Sequence, residues 1–522
     1  MKTITLFLKV MHKANHQHGN ILLVTVISMF IMVAFVMTLL MVTTNAIHLS
    51  NKQQMGTLAF NIAESGAEQA ILWLRDQATP PSGTSPILPF GESPQTMENG
   101  TYSVVIYPDP NNPSNYLKQY RIVSTGTANG QRKIIEVVVK QASFGRYAYF
   151  TDRETSSVSG GAIWWKAGEL VDGPVHSNNT GGSNFNINYN GSKSPIFLDM
   201  VTGAGSTINY SPSRPKNETT FRLIFANGSK GFKLGVDPIL LPPSTDNQKI
   251  AAWGSTTGFP TSSSGVWIRS NMPGGGGIYI CGDCTLQLSI DTSGNQQFTI
   301  KQGSNTTVVT LNKATGTTTY TGPVGSGSAP SGSPIINGVI YCSGNITSLK
   351  GVIADNLVNN GEITYRSAFT IATDTLNGKD ITITDNLYYN TRPDKTKSIT
   401  DPVNLTAGTL GLVARNIIIS SSAPANLEID GVMLAGGQTT DGSFYVANYS
   451  TKTPTGTLKV IGGIIQKSRG PVGTFDSSSG VTKTGYAKNY SYDPRLAEYP
   501  PPYYPTTGQY ERVSWRVLPD TN

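Results

Sequence analysis

The sequence predicts a mainly β protein carried on one long N-terminal helix. Three observations lead there. Ile21–Thr43 is a run of 23 mostly apolar residues, and between Lys13 and Lys52 nothing but histidine can carry a charge at neutral pH. Charged residues make up only 14% of the chain and glycine supplies 55 of its 522 residues, against about 25% and about 7% in an average globular chain. Short apolar runs bounded by turn residues recur between Asp380 and Ser468. Low charge with many small and β-branched residues favours short strands and turns over helices.

The apolar run is too long for a secretory signal, whose apolar region is about 7–15 residues, and matches the roughly 20 residues a helix needs to cross a bilayer. Lys2, Lys9 and Lys13 precede it and no lysine or arginine follows before Lys52. That asymmetry predicts a cytoplasmic N-terminus, one span over 20–43, and the bulk of the chain outside.

The helical pattern continues beyond the span. Ala59, Ala63, Ala67, Ala70, Ile71 and Leu74 recur at spacings of three and four, Leu58 and Ile62 widen the stripe, and no proline intervenes before Pro80. A helix over Ile21–Gln77 would be about 85 Å long at 1.5 Å per residue. Its second half is amphipathic with a small-residue face, and Ala59, Ala63 and Ala67 are its candidate packing residues. A linker with five prolines follows between Thr79 and Gly100. Three strand-like runs come next, Thr101–Tyr107, Gln119–Thr125 and Arg132–Lys140, with Asn129-Gly130 as a hairpin signal before the last. A small antiparallel sheet needs a cover, and the apolar face of Leu58–Leu74 supplies it. These elements form a unit over 44–141.

A basic leader, Gly19, the run Asn20-Ile21-Leu22-Leu23, a long apolar helix, Ala59-Phe60 and then Ala63-Glu64-Ser65-Gly66-Ala67-Glu68 come in that order. This order resembles the N-terminus of PilX-type minor pilins of type IV pili and the pseudopilins of related secretion systems. The resemblance implies a pilin-like head over 44–141. It also implies a leader over 1–19 removed by prepilin peptidase between Gly19 and Asn20, and pilin or pseudopilin subunits as partners. Such proteins usually carry glutamate at the fifth position after the cleaved glycine; here that position is Val24. A subunit without the carboxylate fits the filament tip or a rare initiating position best.

Beyond Phe144 the sequence shows no clear helix. "IYICGDC" (Ile278–Cys284) and "IYCSGNI" (Ile340–Ile346) echo each other. "DITITDNLYYN", "GLVARNIIISS", "LEIDGVMLAGG" and "LKVIGGIIQKS" continue in the same style. Short runs that recur without helices between them suit a parallel β-helix, a solenoid, over 335–490. It follows a β-rich domain over 144–334 and precedes a Tyr/Pro-rich tail over 491–522 expected to lie extended across the solenoid or its end. "YAYFTDRE…GGAIWWKAGELVDGPVHSN" and "RGPVG…GYAKNYSYDPRL…PPYYP" resemble exported bacterial proteins whose C-terminal part is known only as a domain of unknown function; that resemblance implies no activity.

Sites are sparse. His176 is the only histidine after His48, which argues against metal clusters and nucleophile–base pairs. Glu428 and Asp430 alternate with Leu427 and Ile429, so a strand points both the same way; the pair suits a solvated face, or glycosidase chemistry. Asp355, Asp374, Asp380, Asp385 and Asp441 sit near apparent turns, a calcium site being the alternative. Cys281 and Cys284 form a lone CxxC, read as a disulfide or as buried thiols, and Cys342 stands apart. Trp164 and Trp165, near Tyr147, Tyr149 and Phe150, are candidates for stacking on a surface carbohydrate. The net charge of +7 is scattered, with no basic helix, which argues against nucleic acid. The sequence therefore predicts no metal, no cofactor and no enzyme. It predicts a membrane-anchored surface protein with a structural or adhesive role in a type IV pilus or type II secretion-like filament. The alternative is a membrane-anchored β-helical carbohydrate-active enzyme or carbohydrate-binding protein.

Overall fold

Apolar length, unbroken by proline, produces one continuous helix, α1, over His18–Asp76, 59 residues and about 88 Å long. The computed structural model describes residues 18–77, 80–81, 83–97, 99–110, 117–179, 183–191, 193–273, 275–476 and 479–520. Most of the leader expected over 1–19 lies outside them. The described chain is mainly β with this one long apolar helix.

The chain divides into two units. The first takes in residues up to Asp109, Tyr120–Val139 and residues from Arg512 onward. In α1 the side chains become buried from Ala59, at Ala59, Ile62, Ala63, Gly66, Ala67, Ala70 and Leu74. These positions make one stripe at helical spacing. They lie under an antiparallel arrangement of β1 (Gln95–Met97), β2 (Gly100–Pro108) and β3 (Gln119–Ala128). β4 (Gln131–Ser143) follows, and the C-terminal strand, Thr506–Leu518, closes the five-stranded order beyond it. Alternation sets the buried face: Tyr102, Val104 and Ile106 on β2, Tyr120 and Ile122 on β3, Ile135, Val137 and Val139 on β4. Asn129 and Gly130, with φ of 44° and 75°, make the two-residue left-handed turn that joins β3 to β4.

The second unit holds 110–119 and 140–511. Its main strands pair in parallel in three long rows, with register shifts in the second, and antiparallel strands are added at the side. In the first row the core-facing residues run Ile278, Ile340, Ile371, Leu412, Met433, Ile464, Tyr149, Val175, Val201, Phe232. A second row aligns Leu286, Leu349 and Ile383, and its later strands pair Ile383 with Ile419 and Ile419 with Val446. A third aligns Leu387, Ile429, Val460, Tyr490, Val171 and Phe197. The three rows share one apolar core. Gly431 and Gly462 pair with each other just before the chain passes from the third row into the first. Each has φ near 140°, and a Cβ on Gly462 would lie 2.0 Å from the Gly431 carbonyl oxygen. Only glycine fits there.

The order along the rows is not chain order. The chain enters mid-row at Tyr149–Arg153, runs to Phe232–Leu234, crosses to the far end and returns through Ile278 to Gly456–Ser468. That last strand pairs with Tyr149–Arg153. The crossing includes Ile239, Leu241 and an eight-residue helix, Asp246–Trp253, whose Ala251, Ala252 and Trp253 cover the outer side chains Tyr279 and Tyr341 of the first row. The sequence reading missed this helix. Its marks are brief: Asp246 in the first turn and Gly254 in the left-handed conformation after the last. The echo of Ile278–Cys284 by Ile340–Ile346 is direct pairing of neighbours in the row. The extra length between them is an antiparallel insertion, Gln296–Gln302, Asn305–Asn312 and Thr317–Thr321. The segment expected as an extended tail contains a helical turn, Arg495–Glu498, and the strand Thr506–Leu518.

Candidate membrane and assembly helix

Between Ile21 and Leu49 the large apolar side chains of α1 are 44–73% exposed. Its hydroxyls turn inward on their own backbone. Thr25 donates to the Leu22 carbonyl, Ser28 to Thr25, Thr38 to Ala34 and Thr43 to Leu39, at 2.7–2.9 Å. A helix whose polar groups are satisfied internally can sit in hydrocarbon without cost from orphaned donors. Among the described residues this is the one helix long and apolar enough to cross a membrane. Gly19 and Asn20 lie in its first turn; their side chains are outside what is described. Val24 is 62% exposed.

Ala59, Ala63 and Ala67 are on the buried face, and the sheet approaches them closely. A Cβ at Gly126 of β3 would lie 2.2 Å from the Ala59 carbonyl oxygen and 2.5 Å from the Ala63 nitrogen; one at Gly66 would lie 2.5 Å from Ser124 Oγ. Small residues on both partners permit this contact. The opposite face of the sheet holds residues the sequence reading did not single out. Glu136 on β4 is buried and accepts from Arg121 Nη1 at 3.2 Å and from Arg516 Nε at 2.7 Å. One carboxylate thus ties β3, β4 and the C-terminal strand together. On the helix side Phe60 of α1 meets Trp515 of the C-terminal strand edge-on at 6.0 Å between ring centroids, and Arg132 pairs with Asp520 at 3.1 Å. A glutamate in the apolar run Ile134–Val139 was the available signal.

The other candidates lie in the second unit. His176 is buried, stacked on Phe150; its Nδ1 meets Thr202 Oγ1 at 2.8 Å and its Nε2 meets Asn178 Oδ1 at 2.9 Å. Burial lowers its pKa. Asn178 in turn donates to Asp152, which pairs with Lys467. This chain of bonds holds His176 inside and reaches the surface only at the part-exposed Asp152–Lys467 pair. Trp165 is fully buried between Tyr149 and Phe197, with ring centroids 4.8 and 5.3 Å away. Tyr147, Tyr149 and Phe150 are buried as well, so only the half-buried Trp164 keeps ring surface, and an aromatic platform cannot form.

Cys281 and Cys284 are not bonded to each other. Alternation sends Cys281 to the outer layer and Cys284 into the core, where its sulfur lies 3.8 Å from that of Cys342. Glu428 and Asp430 share the strand Leu427–Ala435 but not an environment. Glu428 receives both Arg392 nitrogens at 3.1 Å and Lys459 at 2.9 Å. Its pKa is lowered, those two cations outweighing the effect of burial. Asp430 is completely buried; its Oδ2 accepts from the Tyr389 N–H at 2.9 Å and its Oδ1 has no partner. Burial pushes its pKa up to about 7.

The scattered aspartates are engaged. Asp380 takes a bidentate Arg415, Asp355 accepts from Asn390 and Thr391, Asp441 pairs with Arg153, Asp374 caps its own turn, and Asp385, in mid-strand, accepts from the Asn386 N–H. No cluster of three His, Cys, Asp or Glu poised for a metal occurs among the described residues. A cavity of about 440 Å³ adjoins Asn404, Leu405, Ala407 and Tyr499. The Arg495 guanidinium at its wall already donates to Asp493 and to the carbonyls of Asn404, Ala407 and Gly408.

Residues 115–206 match the model of a domain of unknown function (DUF4900). The match spans β3, β4 and the strands from Tyr149–Arg153 to Val201–Gly203, where the chain leaves the first unit and enters the rows of the second. No curated protein matches the chain. Among solved structures, the competence-associated pilin ComZ from Thermus thermophilus aligns over 89% of this chain and 98% of its own length, with 14% identity and a TM-score of 0.30. At that score the likeness carries no argument.

Proposed function

We propose that this chain is a minor-pilin-like surface protein, anchored by one span and displaying a large β-helical domain outside the cell. The reading rests on α1. One unbroken helix exposes an uncharged apolar surface over Ile21–Leu49, then changes within three turns to a small-residue face roofed by an antiparallel sheet. A plain anchor has no need for that second half. In this reading Lys2, Lys9 and Lys13 keep the N-terminus in the cytoplasm, prepilin peptidase cuts between Gly19 and Asn20, and the span stays as a packing helix among pilin or pseudopilin subunits. The three parallel rows are the faces of successive coils of the β-helix. The role is structural or adhesive and not enzymatic, and Val24 in place of a carboxylate favours the tip of the filament.

N-terminal mass spectrometry of protein extracted from membranes tests it. A mature chain starting at Asn20 is expected, resistant to alkaline carbonate extraction. A leader retained on every copy would overturn the pilin reading and leave an anchor. Release by carbonate would overturn the anchor itself. Introducing Val24→Glu is expected to spread the protein from the filament end along the shaft.

A further inference from the structure

The geometry points to a covalent staple between Cys284 and Cys342, formed when the chain is exported. Cys342 ends the strand Val339–Cys342 in the first row, and Cys284 begins the strand Cys284–Ile290 in the second. They belong to neighbouring turns of the chain, because Ile280 pairs with Cys342 and Cys284 pairs with Ile346. Cys342 faces Ile280 in its ladder and its sulfur also reaches the Gly282 carbonyl at 3.2 Å, so the two cysteines meet diagonally across the turn at Gly282. Both sulfurs already point into the same core and touch at 3.8 Å. Cys281, three residues before Cys284, points the other way, with its sulfur toward the Pro260 carbonyl. The chain therefore offers one pair and one bystander, and the pair is not the CxxC.

In the reaction the two S–H bonds break and one S–S bond forms. Two protons and two electrons pass to a disulfide-form thiol oxidoreductase of the exporting compartment, which leaves as the dithiol. Exchange requires a thiolate with access to that partner. In the folded protein both thiols are buried, 3% and 0% exposed, and burial together with the neighbouring thiol holds the Cys342 proton firmly. The bond therefore forms while the two strands first meet, and once formed it is shielded from reductants. It closes the loop that contains the antiparallel insertion Gln296–Thr321, so the insertion is pinned at its base where its first strand leaves the rows.

The test is peptide mapping of the full chain, exported by its own cell or into an oxidising periplasm, then denatured and alkylated without reductant. The expected result is one alkylated thiol, Cys281, and a linked Cys284–Cys342 peptide pair 2 Da lighter than the two thiols. Cys284→Ala, Cys342→Ala and the double variant should melt at the same temperature, several degrees below the wild type, whereas Cys281→Ala should not share that loss. Three alkylated thiols, or a Cys281–Cys284 link, would overturn the staple, and the mapping decides even if the variants fail to fold.

Discussion

Asp430→Asn separates charge from shape at a fully buried position. The folded protein raises the Asp430 pKa from 3.8 to about 7, because burial outweighs the Tyr389 N–H and the Arg392 and Lys459 charges, and Glu428 adds to it. A raised carboxyl pKa means that stability from this group is complete below about pH 4, falls as pH rises and is gone above about pH 7. About three pKa units at 1.36 kcal/mol each give up to ~4 kcal/mol. Asparagine keeps an oxygen for the Tyr389 N–H and never ionises. The variant is therefore expected to match the wild type only below about pH 4, to gain on it steadily as pH rises, and to melt several degrees higher at pH 8, by differential scanning calorimetry of the full chain in detergent. His176, whose pKa burial lowers, acts in the opposite sense at the acid end, but equally in both proteins. The difference between the two melting curves therefore isolates Asp430. Equal pH dependence from 5 to 8 would refute the reasoning.

Gly126→Val should destabilise the first unit by roughly 1–3 kcal/mol or more, since its side chain would start 2.2 Å from the Ala59 carbonyl; faster amide exchange in β2 and β3 would show it, and unchanged exchange would argue against the close approach. Arg469→Met strands Glu154, its partner at 2.8 Å, in the core. Breaking one side of a buried pair costs roughly 3–5 kcal/mol, visible as a lower melting temperature, while loss under ~1 kcal/mol would show that water reaches the site. Met32→Arg places a charge at mid-span, costing about 2.5–3.5 kcal/mol by insertion scales. The variant should partly escape the carbonate-resistant membrane fraction.

What was legible in the sequence was local. α1 could be read because apolar length and a three-to-four spacing are properties of neighbouring residues. β2, β3 and β4 could be read from alternation, and the Asn129-Gly130 turn from its dipeptide. The Asp246–Trp253 helix was missed because two turns leave little periodicity to see. Cys284 and Cys342 were not paired on paper because their contact depends on which strand lies next in the row. The Glu136 clamp needs a strand from the far end of the sequence, Arg516, 380 residues away.

The least legible feature is the junction in the rows, where Gly456–Ser468 meets Tyr149–Arg153. Apolar faces alone do not define it, since Tyr149 and Val175 both present core-facing side chains at the same position of the row. The polar groups at the junction do. Arg469 pairs with Glu154 across the first row, and Lys488 pairs with Glu169 across the third, both nearly buried. In each, the cation comes from the late part of the chain and the carboxylate from the early part. Gln466 adds a bond to the Tyr149 hydroxyl, and the Arg469 N–H one to the Arg153 carbonyl, at 2.8 and 3.0 Å. Burial lowers the Lys488 pKa to about 8, a sign of the desolvation these pairs carry. Any other strand placed in that slot would leave two carboxylates in the core without cations. Buried charge here is thus a device of register more than of stability. It acts late, because until the last strands are made the edge of Tyr149–Arg153 has no partner on that side.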